Sequence, residues 1–171
     1  MNLYSYWQFI HIFSYHKVDA DLLKNVVNYL PCDECKQEWI QPPENTDELF
    51  QWSIDLHNVV NQKLGKPIFN SNNIYTPDLT GCFYCKYPQS NSYPWGFIHN
   101  VAKFEGSLEY LKEFNNNFPC DKCRNTFFTD EPASDETTFQ WTLRHHNRIN
   151  HLKGLNEITE EMFDWQNCSA C

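Results

Sequence analysis

The chain carries eight cysteines, and all of them stand in Cys-x-x-Cys pairs: Cys32/Cys35, Cys82/Cys85, Cys120/Cys123 and Cys168/Cys171. A cross-link that stabilises a fold gains most by closing a long loop. The gain is about 4 kcal/mol for a ~50-residue loop and about 2 for a Cys-x-x-Cys loop. Four short-range pairs are therefore poor staples. They suit thiol–disulfide exchange, in which one sulfur attacks and its neighbour resolves. Cys32 follows Pro31 and Cys120 follows Pro119, each opening a helical segment. A helix N-terminus favours the reactive thiolate. Cys35 and Cys123 lie one turn in, toward the bundle interior if the helix packs there. Two other uses stay open on the residues alone. Two such pairs can build a four-thiolate zinc site, although zinc ribbons set them on Gly-rich knuckles rather than after proline. Cys82/Cys85 and Cys168/Cys171 follow the last long helix of each half and also fit inert structural pairing.

A second group with chemical potential runs from Trp52 to Pro67. His57 and Asn61 are four residues apart and share one helix face, with Asn58 adjacent. Trp52 lies about one and a half turns earlier. Such a face, flanked by Lys63 and Lys66, can stack an adenine ring and pair with phosphates. The plainer alternative is a set of satisfied polar groups at a bundle interface. The same spacing recurs as His146, Asn147 and Asn150, which weighs against that alternative.

The recurrence is general. Trp7 and Trp95, His11 and His99, and the pairs Cys32/Cys35 and Cys120/Cys123 are each 88 residues apart. Trp52 and Trp141, like His57 and His146, are 89 apart. The chain of 171 residues thus reads as a tandem duplication with halves 1–88 and 89–171. The polar, proline-flanked stretch Tyr87–Pro94 is the linker.

Each half predicts helices that must position these residues. Trp7, Ile10, His11 and Ser14 recur at i, i+3, i+4 and i+7. Leu22 to Leu30 continue the period until Pro31. A short helix follows with acidic residues in its first turn. Thr46 opens a longer helix to Leu64, closed by Gly65 and Pro67. The second half predicts helical spans Pro94–Asn115, Pro119–Phe128 and Ser134–Leu152. No alternating strand stands out. The expected class is all-α, a small four-helix bundle per half.

Composition excludes several functions. Net charge is −9 with no Lys/Arg cluster, so nucleic-acid binding is not expected. Five glycines, and no G-x-G-x-x-G or P-loop, leave no Gly-rich phosphate cradle. No apolar run approaches the ~20 residues of a membrane span. The N-terminal residues show no basic, then apolar, leader pattern, so the expected place of action is the cytoplasm. Aromatic content of 16% is too high for a disordered chain.

The ordered set Trp-x-x-x-His, Pro-Cys-x-x-Cys and Trp-x-x-x-x-His-Asn-x-x-Asn-x-x-Leu-Gly-Lys-Pro resembles the Erv/ALR FAD-linked sulfhydryl oxidases. The resemblance covers nearly all of both halves. It implies two tandem FAD-binding four-helix bundles, each with a short fifth helix, packed as an intrachain pseudo-dimer. It implies oxidation of protein dithiols, or of a thioredoxin-like client, with electrons passing through FAD to O2 and H2O2 formed. Under it Cys32 matches the exchange cysteine and Cys35 the one against the flavin ring. Trp7 and His11 line the flavin. His57, Asn58, Asn61, Lys63 and Lys66 match adenine- and phosphate-side contacts, and Trp52 and Leu64 fall in the same cofactor set. In the second half these roles fall on Cys120, Cys123, Trp95, His99, Trp141, His146, Asn147, Asn150 and Lys153. The pairs Cys82/Cys85 and Cys168/Cys171 look like shuttle disulfides. No resident metal is implied.

The departures are specific. The second half reads Leu152-Lys153-Gly154-Leu155 where the first has Leu64-Gly65-Lys66-Pro67. A structural cysteine that many cellular members carry after Lys-Pro is missing, since this region reads Ile68-Phe69-Asn70. The compact halves look more like members from large DNA viruses, for which the host cytoplasm or the virion is the expected place. A non-catalytic scaffold of the same fold, or a four-cysteine zinc domain, is the alternative function.

Overall fold

The computed structural model describes residues 4–30, 33–70, 94–119 and 121–163. Cys32, Cys82, Cys85, Cys120, Cys168 and Cys171 lie outside the described residues, as do positions 87–93 of the linker. Described secondary structure is helical, with no strand among the described residues. None of the described helices is long and apolar enough to cross a membrane.

In the first half, α1 spans Tyr4–Tyr15 and α2 Ala20–Asn25. Asp19 caps α2 by accepting from the Asp21 amide. A 3-10 turn, Val26–Tyr29, carries the chain to Leu30, the extended residue before Pro31. Extension there follows from the steric demand of the proline ring. α3 is Asp33–Gln37, and α4 is Leu49–Lys63 after a 3-10 turn, Thr46–Glu48, capped by Asn45. In the second half α5 is Trp95–Ala102, α6 Ser107–Asn116, α7 Asp121–Arg124 and α8 Thr138–Leu152.

Three boundaries differ from those predicted. The span Pro94–Asn115 breaks after Ala102, and Gly106, at a left-handed φ of 74°, is the N-cap that sets the direction of α6. The helix predicted from Ser134 begins only at Thr138. Thr137 and Gln140 form a reciprocal capping box there, while the Glu136 carboxylate holds the Ala133 amide in the preceding turn. The span Pro119–Phe128 is helical only through Arg124, and Phe128 has a φ of 46°.

α1 is buried on two sides. Tyr6, Phe9 and Phe13 form one buried row, and His11 and Ser14 lie on a second. It packs against α4 and also against α5; α5 in turn packs on α8 and α6, and α2 on α6. Contacts between the halves are aromatic. Phe9 stacks on Phe97 with centroids 4.3 Å apart, and these two residues occupy equivalent places in the repeat. Phe13 stacks on Phe114 at 5.2 Å and Tyr29 on Tyr110 at 4.5 Å. The buried Tyr110 hydroxyl donates to the Leu22 carbonyl at 3.1 Å. At Gly96 on α5 a Cβ would stand 2.9 Å from Ser5 Oγ, so a larger residue there would turn the Ser5 hydroxyl aside.

Truncating Phe97 to Ala removes a ring that meets Tyr6, Phe9 and Phe114. Urea denaturation is expected to show a loss of about 3–5 kcal/mol. Tyr110→Phe keeps the ring and strands the Leu22 carbonyl, so a smaller loss of about 1–3 kcal/mol is expected in the same assay.

Candidate functional site

α1 and α4 bring Trp7, His11 and His57 together. His11 Nε2 lies 3.0 Å from His57 Nδ1, and His11 Nδ1 lies 3.0 Å from Ser53 Oγ. Trp7 stacks on His57, centroids 4.1 Å apart and planes 5° from parallel. α5 and α8 repeat the cluster. His99 Nε2 lies 2.9 Å from His146 Nδ1, His99 Nδ1 3.1 Å from Thr142 Oγ1, and Trp95 stacks on His146 at 4.2 Å. Residues 88 and 89 apart in sequence thus build the same cluster twice.

These imidazoles are held neutral. Burial pushes His11 down to about 3, with His57 adding to the effect. Burial and the Lys66 ammonium push His57 to about 4, and burial with Lys153 pushes His146 to about 3. His99 lies well below its ordinary value, chiefly through burial. The reordered Leu152-Lys153-Gly154 sequence therefore still sets a lysine charge near its histidine, as Lys66 does in the first half. Gly65 and Gly154 both adopt left-handed φ, 63° and 68°, and close their helices in the same way.

The asparagines of the repeated motif bind their own chain. Asn58 donates to the Phe69 carbonyl at 2.9 Å and accepts from the Phe69 amide at 2.7 Å. Asn147 does the same with Ile158. Asn61 donates to the Pro67 carbonyl and Asn150 to that of Asn156, both at 3.2 Å. These amides fold back the segment after the helix, which lays Phe69 against His57 at 4.5 Å. Their amide groups are thus engaged by the chain's own backbone. Lys63 pairs with Glu38 at 2.7 Å. Leu64 is the half-exposed C-cap of α4, its amide bonded to Val60 O. The Trp52 indole is buried and donates to the Ile40 carbonyl at 3.1 Å, while the Trp141 indole donates to Asp130 at 3.0 Å.

Beside the first cluster lies a small, apolar pocket that opens to solvent. Its wall includes Trp7, Leu30, Cys35, Trp39, Leu56 and Val60. The Trp39 Nε1 donor is buried with no hydrogen-bond partner. Such a donor costs free energy unless something accepts from it. An isoalloxazine ring is flat, largely apolar and edged with carbonyl and imine acceptors, so the chemistry of this apolar wall, with its unmet N–H and the Cys35 sulfur beside it, suits one. Trp39 was not singled out from sequence. Nor were Ser53, Thr142 and Phe69, although the 89-residue register of Ser53 and Thr142 was there to be read.

The second half departs at matched positions. Phe127 stands where the first half has Trp39, so that N–H is missing, and Phe127 meets Trp95 edge-on at 5.5 Å. Cys123 is 5% exposed and disulfide-bonded, and a disulfide sulfur is no thiolate metal ligand. His145 replaces Leu56. Its Nε2 lies 2.9 Å from Asp130 Oδ1, and its buried Nδ1 has no partner. The Arg144 guanidinium bonds both Asp130 and Glu136 and holds the Asp130 carboxyl down to about 2.

Because the clustered imidazoles protonate at 6.5 when unfolded and only far lower when folded, the unfolded chain binds more protons below that pH. Their contribution to stability is complete above 6.5 and is lost as pH falls toward about 4. The deepest two, His11 and His99, each add a slope of up to ~1.4 kcal/mol per pH unit. Urea midpoints measured between pH 7.5 and 4.5 are expected to fall accordingly; a flat profile from 6.5 to 5 would contradict neutral burial.

No solved structure matches the chain. A model of the Erv1 / Alr family matches residues 4–78, the span that holds α1 to α4, the first histidine cluster and the cavity, and that span is similar to this family of oxidoreductases.

Proposed function

We propose that the protein is a FAD-dependent sulfhydryl oxidase that converts pairs of protein thiols to disulfides, with its working site in the first half. The observation that carries this reading is Cys35 in the wall of an apolar cavity between Trp7 and an unpartnered Trp39 N–H. The similarity of residues 4–78 to the Erv1 / Alr family supports it.

In this reading a client thiolate attacks Cys32 of a Cys32–Cys35 disulfide. The new mixed disulfide leaves Cys35 as the thiolate, and the second client thiolate then displaces Cys32. The client gains one disulfide and the pair gains two electrons. FAD held beside Cys35 would supply the two-electron acceptor for the reduced pair, with O2 as the final acceptor. The Trp39 N–H would hold the cofactor through a hydrogen bond, and Trp7, Leu30 and Val60 form the apolar wall around the sulfur. Cys82/Cys85 and Cys168/Cys171 serve as shuttle pairs between client and core. We assign the protein to the cytoplasm, with a protein dithiol or thioredoxin-like client.

The reading extends to the architecture: the two halves act as a covalent pseudo-dimer. Equivalent rings meeting across the halves, Phe9 on Phe97, support this, as does the twice-built histidine cluster. For the second half alone a scaffold role is the competing reading. It is favoured by Phe127 at the position of Trp39.

The flavin absorbance band of the purified protein, calibrated against chain concentration, tests the cofactor. Oxygen uptake with a dithiol substrate tests the activity. Cys35→Ser is expected to lower turnover at least about 100-fold while FAD is retained. Trp39→Phe is expected to lower FAD content. A colourless protein that takes up no added FAD would overturn the reading, and one FAD per chain would make the second half a scaffold.

A further inference from the structure

Each histidine pair ends a hydrogen-bond chain whose direction the helix backbone decides. The Ser53 hydroxyl lies 2.7 Å from the Phe50 carbonyl oxygen and 3.0 Å from His11 Nδ1. It has one proton to give. The carbonyl only accepts, so at 2.7 Å that proton must lie between the two oxygens; turned toward His11, it would leave two sets of lone pairs face to face. The Ser53 oxygen then accepts from His11, which carries its hydrogen on Nδ1. A neutral imidazole has a single N–H. His11 Nε2 is therefore bare and accepts from His57 Nδ1–H at 3.0 Å. That leaves His57 with a bare Nε2, pointing away from His11.

The second half repeats the logic with a different hydroxyl. Thr142 Oγ1 lies 2.9 Å from the Phe139 carbonyl and 3.1 Å from His99 Nδ1, and His99 Nε2 lies 2.9 Å from His146 Nδ1. Ser53 and Thr142 are both 0% exposed, so no bulk water offers either an alternative partner.

What His57 can offer a ligand is also constrained. Trp7 stacks on its ring at 4.1 Å and Phe69 at 4.5 Å. Two rings at these distances are too wide to share one face of an imidazole, so both faces are covered. Only the edge that carries Nε2 remains, and His57 is half-buried rather than enclosed. Stacking of His57 on an adenine ring, the sequence expectation, gives way to an in-plane hydrogen bond.

We propose that Ser53 and Thr142 are positioning residues that fix the direction of these chains, so that His57, and in the second half His146, present an unprotonated Nε2 edge-on to a hydrogen-bond donor of a bound FAD. The ligand part of this proposal rests on the flavin reading above; the tautomer part does not. Changing the hydroxyl acts on His57 through His11, without touching the cavity wall.

Long-range proton–nitrogen spectra of the full chain with ¹⁵N-labelled histidine test it. Of the seven histidines, His11, His57, His99 and His146 are expected as the Nδ1–H tautomer. In Ser53→Ala, His11 and His57 are expected to leave that tautomer while His99 and His146 keep it; Thr142→Ala should do the reverse. Ser53→Thr, the residue the second half uses, should behave as the parent. Adding FAD should shift the His57 Nε2 resonance while Nδ1 keeps its hydrogen, and Ser53→Ala should weaken FAD binding about 10-fold, the equivalent of one hydrogen bond. An Nε2–H tautomer at His57 in the parent protein, or unchanged tautomers in Ser53→Ala, would overturn the assignment without reference to FAD. Bound FAD with an unmoved Nε2 resonance would overturn the ligand part. A protein with no affinity for FAD would overturn the ligand part together with the flavin reading, and the tautomer result would stand on its own.

Discussion

Two imidazoles set 3.0 Å apart inside a helical bundle leave room for one hydrogen between them. Protonating either would place a cation against its neighbour in a medium that solvates charge poorly. Much of the site follows from that constraint. Both rings stay neutral, which requires a partner that fixes the hydrogen at one end. A hydroxyl on the facing helix, itself tied to a backbone carbonyl, meets the requirement. Parallel aromatic rings can then close over the pair, because a neutral imidazole tolerates an apolar cover. The second half obeys the same constraint with Thr142 in place of Ser53, and the geometry is nearly unchanged.

α1 carries the burden of joining this cluster to the rest of the molecule. One side presents His11 to α4, and another presents Tyr6, Phe9 and Phe13 to the second half. An amphipathic helix with a single apolar stripe could not do both. The sequence of α1, with aromatic or aliphatic residues at most positions, reads as a helix buried on more than one side. Gly96 on α5 complements it by leaving the Ser5 hydroxyl of α1 in place. The same helix that orients the imidazoles therefore also anchors the contact between the halves, so a disturbance in the aromatic seam reaches the cluster through one rigid element.

The halves share a frame and differ in what fills it. The histidine cluster, the helix-closing glycines and the asparagine clamps are duplicated closely. The cavity wall is not: Trp39 and Leu56 become Phe127 and His145, and a carboxylate–guanidinium network around Asp130 and Arg144 appears in the second half alone. Duplicated parts are those that geometry dictates.

The helical class and the two motif helices were legible in the sequence, because residue periodicity and helix-stopping Pro and Gly act over a few neighbouring residues. That local logic also located His11, His57, His99 and His146. It misjudged the start of α8, since Ser134 and Thr137 are both good caps and only the Gln140 side chain selects between them. It did not show that the asparagine amides also clamp the backbone after the helix, because that contact depends on how the chain folds back. Trp39, Ser53 and Phe69 went unread for the same reason. A serine inside a helix, or a tryptophan at the end of a short one, carries no local mark of function. Their roles arise from side chains 11 to 42 positions away, brought within hydrogen-bond or stacking distance only by packing. Sequence by itself determined which elements form and which residue types recur; tertiary structure decided which of those residues face one another, because direction and distance between helices are set by the shape of the core and not by any single segment.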